Sequence, residues 1–211
     1  MGTLDRIQYR PIPVRDLLVE MKDMSELMID LAYSSALFNS RELAEEVLEL
    51  EKCVDSLAYL LDMSAMIAVR NPSDAESLVG VSVVASAIDK ISDAAGDISA
   101  IVLRGIGIHP LVREVFEKVE ERLIRVEIKP ESILVGRRRG DLKLASRIGA
   151  NIIAIRRGRD WIINPKEDET LQKGDILIAR GAPLGIGELR QVAEGILKNW
   201  RNRRGARRKA V

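Results

Sequence analysis

Residues 85–99, ASAIDKISDAAGDIS, set Asp89, Asp93 and Asp97 into a run of Ala, Ile and Ser. At about 100° per residue, helix positions four and eight apart stay within about 80° of one another, so the three carboxylates share a narrow stripe. Each like-charged pair at that spacing costs about 0.2–0.5 kcal/mol. Either the stripe faces water or something cancels its charge. The chain has a single histidine, His109, so a metal held here would have oxygen ligands only, which suits Ca, Mg, Mn or Fe rather than structural zinc. A second group of residues is cationic. Arg137, Arg138 and Arg139 lie between glycines in GRRRG, either as a loop that meets a phosphate or as a solvated turn. The third feature is Asn151, a short amide entering the apolar run NIIAI where Val or Ile would suit a strand better. It calls for a polar partner, either a ligand or the helix end at Gly149. No catalytic centre assembles from these groups. His109 precedes Pro110 at a helix start, where it caps, and neither a G-x-G-x-x-G turn nor a Walker A loop occurs. A binding protein is expected rather than an enzyme.

These residues must be positioned by two different kinds of scaffold. From Val14 to about Phe38, Leu17, Leu18, Met21, Met24, Leu27, Met28 and Leu31 recur at spacings of three and four, which predicts an amphipathic helix. Asn39 or Ser40 then caps a second helix to about Arg70, along the stripe Leu43, Val47, Leu50, Val54, Leu57, Leu61 and Met66. Pro72 stops it, and Ser73 with Glu76 forms a capping box for a third helix from about Asp74 to Leu103. A shorter fourth helix is expected from Leu111 to about Glu120. Long helices joined by short turns pack as an antiparallel bundle.

After Glu121 the period changes to two. Ile124, Val126 and Ile128 alternate with Arg125 and Glu127, as in a strand. GDLKLASRIG predicts one short helix closed by Gly149, RRGRDWIINP a hairpin turning at Gly158 and Arg159, and QKGD a tight turn before the strand DILIARG. GIGELRQVAEGILKNW predicts a closing helix. The fold class expected is α+β: an N-terminal antiparallel helical bundle at 10–121, a small α+β domain with a mainly antiparallel sheet at 122–197, and a basic tail at 198–211.

At 211 residues the chain has room for two modest domains, and its 46% hydrophobic and 31% charged content is that of a folded protein. One cysteine, Cys53, cannot pair within the chain. The N-terminus has no apolar core of signal-peptide type, and no apolar run approaches 18 residues, so the expected location is cytoplasmic, at most peripheral to a membrane. Net charge is +1, but KNWRNRRGARRKAV at the end holds seven cations, which leaves the remainder at −6. Such a tail is either solvated or held against anionic lipid or nucleic acid; with Trp200 its only aromatic residue, nucleic acid is not an expected partner.

Residues 122–197 resemble the TrkA C-terminal domain, also called the RCK C-terminal domain, of potassium channels, transporters and their regulatory subunits. The likeness rests on SILVGRRRGDLKL, then GANIIAIRRG, then INPKEDETLQKGDILIARG. Residues 14 to about 120 are similar to the PhoU helical bundle, whose acidic pairs on two helices correspond to Glu51 and Asp55 in EKCVD and to Asp89 and Asp93 in DKISD. That resemblance implies a divalent or trivalent metal ion held by Glu51, Asp55, Asp89 and Asp93 across two antiparallel helices. The first resemblance implies a homodimer that binds a small molecule, cyclic di-AMP or another nucleotide, through Arg137, Arg147, Asn151, Ile152 and Pro165, with Ala145 standing at the family's usual arginine. The function expected is a cytoplasmic regulatory or accessory protein of a membrane cation transporter or channel, with potassium as the expected cation, that senses a small ligand through its C-terminal domain dimer. A PhoU-like regulator of phosphate uptake and a metal-dependent hydrolase are the alternatives.

Overall fold

The computed structural model describes residues 8–106, 109–111 and 121–198. The chain divides into two compact units, Met1–Glu117 and Lys118–Val211. Together they make an α+β protein, three long helices followed by a small sheet with helices.

The first unit consists of α1 (Val14–Phe38), α2 (Arg41–Ala68) and α3 (Pro72–Leu103), each packed on the other two. Both capping candidates between α1 and α2 are used. Asn39 takes a left-handed conformation that ends α1, and the Ser40 hydroxyl accepts from the Leu43 amide at 3.4 Å to begin α2. A connection this short forces the two helices to run antiparallel. The start of α3 differs from expectation. Asn71, not Ser73, is the cap: its Oδ1 accepts from the Asp74 amide at 3.0 Å, and Pro72 opens the helix. The physical reason is that Pro lacks the amide hydrogen that a first helical residue would leave unbonded, while the residue before it must be extended, and Asn71 has φ −156°. Leu17, Met21, Met28, Leu31, Leu50 and Leu61 are fully buried between the helices, each contributing about 1.5–3 kcal/mol. Met66, expected in the same buried stripe, is 75% exposed. The fourth helix expected at 111–120 lies almost wholly outside the described residues. His109 Nδ1 accepts from the Leu111 amide at 3.2 Å, a cap as expected.

The second unit contains β1 (Arg122–Glu127), α4 (Arg139–Leu142), α5 (Leu144–Ile148), β2 (Ala150–Arg157), β3 (Asp160–Ile163), β4 (Ile176–Gly181) and α6 (Pro183–Ala193). The four strands form one antiparallel sheet in the order β1-β4-β2-β3. GDLKLASRIG is two helical turns, not one helix, because Lys143 adopts φ 47° between them. Leu142 and Leu144 are both buried, and residues two apart on a continuous helix would point about 200° apart. The left-handed residue turns both inward. On β2 a bulge between Ile152 and Ala154 shifts the register, so Ile152 and Ile155, an odd number of residues apart, both enter the core. The extra residue, Ile153, offers its carbonyl to the Asn164 amide at 2.9 Å.

The closing helix begins at Pro183 and ends before Gly195, which has φ 75°. Its first turn lies hard against the end of α5: a Cβ on Gly185 would collide with the Ile148 carbonyl oxygen. We therefore expect Gly185→Ala to destabilise the C-terminal unit by about 1–3 kcal/mol, read as a lower denaturant midpoint for Trp161 fluorescence with the helical signal of the first unit unchanged.

Candidate functional site

Two groups of side chains could carry function, one in each unit. In the helical unit, α2 and α3 pack against each other with the Glu51 carboxylate lying over Gly96. A Cβ at position 96 would sit 2.8 Å from both Glu51 oxygens. This contact brings the two acidic pairs into a common field. Burial raises the Glu51 carboxyl above its ordinary range, and Asp55, Asp93 and Asp97 raise it further against a weak opposing effect from Lys52. Asp55 is raised by burial and then by Asp89 and Asp93. Asp89 is raised by burial and by Asp93, with Lys90 opposing. Glu26 of α1 is occupied by an ion pair with Lys22 at 2.9 Å.

The arrangement produces repulsion more readily than chelation. Glu51, Asp55, Asp89 and Asp93 share a face, yet among the described residues no three His, Cys, Asp or Glu side chains stand close enough to hold a metal ion.

In the C-terminal unit the fold gives Asn151 an arginine as its partner rather than the adjacent helix end. Arg139 Nη2 donates to Asn151 Oδ1 at 2.7 Å, a charge-assisted bond. Asn151 is the second residue of β2, exposed and directly opposite Arg180 of β4. Arg139 opens α4, and two backbone bonds of 2.8 Å hold that turn: the Arg139 amide to the Glu169 carbonyl and the Gly140 amide to the Glu167 carbonyl. Gly140 has no room for a side chain, since a Cβ there would lie 2.9 Å from Glu167 Cβ. A guanidinium and an amide are thereby fixed together on a well-held backbone, a pair suited to phosphate oxygens.

The other expected ligand residues lie apart in character. Arg137 and Arg147 are exposed, Pro165 is buried, and Ile152 is 1% exposed within the core. The Ile152 side chain therefore belongs to the fold. Arg139 was absent from the expected ligand set although it stands in the same GRRRG run. Its signal in the sequence is its position immediately before Gly140-Asp141, where a helical turn starts.

A second arginine is wholly structural. Arg157 at the end of β2 forks onto the buried Asp175 through Nε at 2.9 Å and Nη2 at 2.8 Å. Nη2 also reaches the Thr170 carbonyl at 3.0 Å and Glu169 at 3.1 Å. Asp175 in turn accepts from the Gln172 amide at 2.9 Å. This ties the long INPKEDETLQKGD loop to the sheet, and with it the carbonyls of Glu167 and Glu169 that hold Arg139.

The raised carboxyls have a consequence for stability. The folded protein binds protons on Glu51, Asp55 and Asp89 more tightly than the unfolded chain does. The helical unit should therefore gain stability as pH falls from neutral through these raised values toward the ordinary 4.5 of Glu and 3.8 of Asp. We expect Asp89→Asn to raise the melting temperature at about pH 7 and to shrink the gain seen at about pH 5, followed by helical circular dichroism. An unchanged pH dependence would show that Asp89 does not feel its neighbours.

Comparison with known proteins gives matches in both units. The TrkA-C domain model matches residues 123–193 and the PhoU domain model matches residues 18–102. The Ktr system potassium uptake protein C of Bacillus subtilis (strain 168) is 37% identical over 75 residues, 36% of this chain and 34% of that protein. The chain thus matches about a third of that relative's length. Among solved structures, the RCK_C domain dimer of S. agalactiae BusR in complex with c-di-AMP is 18% identical, covering 36% of this chain and 95% of that one, with TM-score 0.34. The RCK C domain of the potassium transport protein KtrA in complex with cyclic diadenosine monophosphate is 28% identical, covering 44% and 96%, with TM-score 0.32.

Proposed function

Because the chain joins a PhoU domain to a TrkA-C domain, we propose that it regulates a membrane potassium transporter or channel, with the C-terminal unit as the sensor of a small nucleotide. The observation that carries this reading is the TrkA-C match together with 37% identity to a protein named for potassium uptake. It acts as a homodimer at the cytoplasmic side and binds rather than catalyses. Among the described residues no helix is long and apolar enough to cross a membrane, so on this reading the transport path belongs to the partner.

The sensor chemistry is supported by the Arg139–Asn151 pair, which presents a fixed cation beside an amide. A phosphate of cyclic di-AMP or a related nucleotide would accept from both. Arg137 and Arg147 add exposed positive charge from neighbouring turns. Calorimetric titration with cyclic di-AMP, ATP and NAD should show one nucleotide binding, weakened more than tenfold, about 1.4 kcal/mol, by Asn151→Ala or Arg139→Ala. Absence of binding for all three would remove the sensor role and leave a docking module.

A second reading rests on the PhoU match and on the unrelieved repulsion among the α2 and α3 carboxylates. On this reading the helical unit takes a divalent or trivalent cation through Glu51, Asp55, Asp89 and Asp93, the carboxylates drawing together to meet it, and the partner is a phosphate uptake system. A cation bound only by the folded state stabilises it by about 2.7 kcal/mol at a hundredfold excess over its dissociation constant. Added manganese should then raise the melting temperature of the wild type but not of Asp89→Asn/Asp93→Asn. An equal response from both would end this reading.

A further inference from the structure

The outer face of α2 and α3 continues past the acidic stripe into an open groove of about 640 Å³. Its walls are Asp62 and Met66 of α2, Val69 just past its end, and Ala75, Val79, Ser82, Val83 and Ser86 of α3, with Lys90 at the junction with the acidic half. Steps of three or four residues carry α3 from Ala75 through Val79, Ser82 and Ser86 to Lys90, Asp93 and Asp97, one stripe of a single helix. On α2 the same arithmetic joins Glu51 and Asp55 to Asp62 and Met66. Small residues form the floor, and the large apolar ones are open to solvent: Met66 is 75% exposed, Val79 62% and Val83 64%. Scattered apolar residues on a surface are ordinary, but a contiguous patch flanked by charge marks a place where another molecule binds.

The geometry points to this face as the seat of an amphipathic, basic helix from another protein, its apolar side in the groove and its Lys or Arg residues over the carboxylate stripe. The groove selects apolar residues at helical spacing, as in other helix-in-groove interactions. The stripe selects positive charge, because Glu51 and Asp55 of α2 and Asp89, Asp93 and Asp97 of α3 place five carboxylates at helical spacing on two packed helices. An anionic lipid surface is disfavoured by that same charge. Cytoplasmic segments next to membrane-spanning helices are enriched in Lys and Arg, so a transporter supplies such a helix. This identification of the partner rests on the transport reading above, whereas the shape and charge of the face do not.

The probe is a labelled synthetic helix of about 20 residues, about 30 Å long, with Leu and Ile at helical spacing in its first half and Lys and Arg in its second. Anisotropy with the full-length protein should show binding that Val83→Glu weakens at least tenfold and that Asp89→Asn/Asp93→Asn weakens at least tenfold at low salt. A version with Glu in place of the basic residues should bind at least tenfold less tightly than the original. Position 83 is exposed, so helical circular dichroism should be unchanged in Val83→Glu. No binding, or binding indifferent to both variants, overturns the inference without touching the nucleotide experiment, which tests the transport reading independently. Sedimentation closes the remaining route: if the wild type self-associates and Val83→Glu makes it monomeric, the groove holds a second copy and the inference falls.

Discussion

The close approach of α2 to α3 at Gly96 governs the rest of the helical unit. With no side chain at that position, the Glu51 carboxylate settles onto the α3 backbone, and two acidic stripes that would otherwise be separated by a side chain face the same space. The repulsion this creates is offset elsewhere. Leu50, Val54, Leu57 and Leu61 on α2 are buried among the three helices, and a few such side chains outweigh pairwise repulsions of a few tenths of a kcal/mol. Core packing thus holds the carboxylates in a field they would not choose.

Helix length decides what the core cannot cover. α1 has 25 residues, α2 28 and α3 32, so α3 exceeds α1 by about 10 Å of helix. All seven buried positions of α3 lie from Ala85 onward, and Val79, Val83 and Val84 before them are exposed. The same two helices therefore present charge along one half of their outer face and apolar surface along the other. That combination accounts for why Met66, which follows the periodicity of the buried stripe, is not buried.

In the C-terminal unit the comparable anchor is Asp175. Its carboxylate accepts a fork from Arg157 and an amide hydrogen from Gln172, fixing a loop with no regular secondary structure to the end of a central strand. A buried carboxylate is tolerable only when its oxygens are so occupied. The loop in turn supplies the carbonyls that fix the turn carrying Arg139. The Arg139–Asn151 pair is therefore positioned by a network whose members are spread from residue 139 to residue 175, and its geometry depends on a contact far from either residue.

The sequence by itself determined the three helices, the change of period near residue 121, the hairpin at Gly158 and the turn at Gly174, because each is set by interactions within a few residues: stripe spacing, caps and glycines. It also carried the resemblance to both domain models, through motifs such as GANIIAIRRG. Tertiary structure alone decided the break at Lys143, the bulge at Ile153 and the exposure of Met66, whereas the cap at Asn71 is local and follows from Pro72 beside it. Two of these answer demands from outside the segment: the core must receive both Leu142 and Leu144, and both Ile152 and Ile155, at spacings a regular helix or strand cannot serve. The partner of Asn151 was hidden for a related reason. Local chemistry favoured a bond to the helix end two residues away, but the fold delivers a guanidinium from position 139, and a charged donor makes the stronger hydrogen bond.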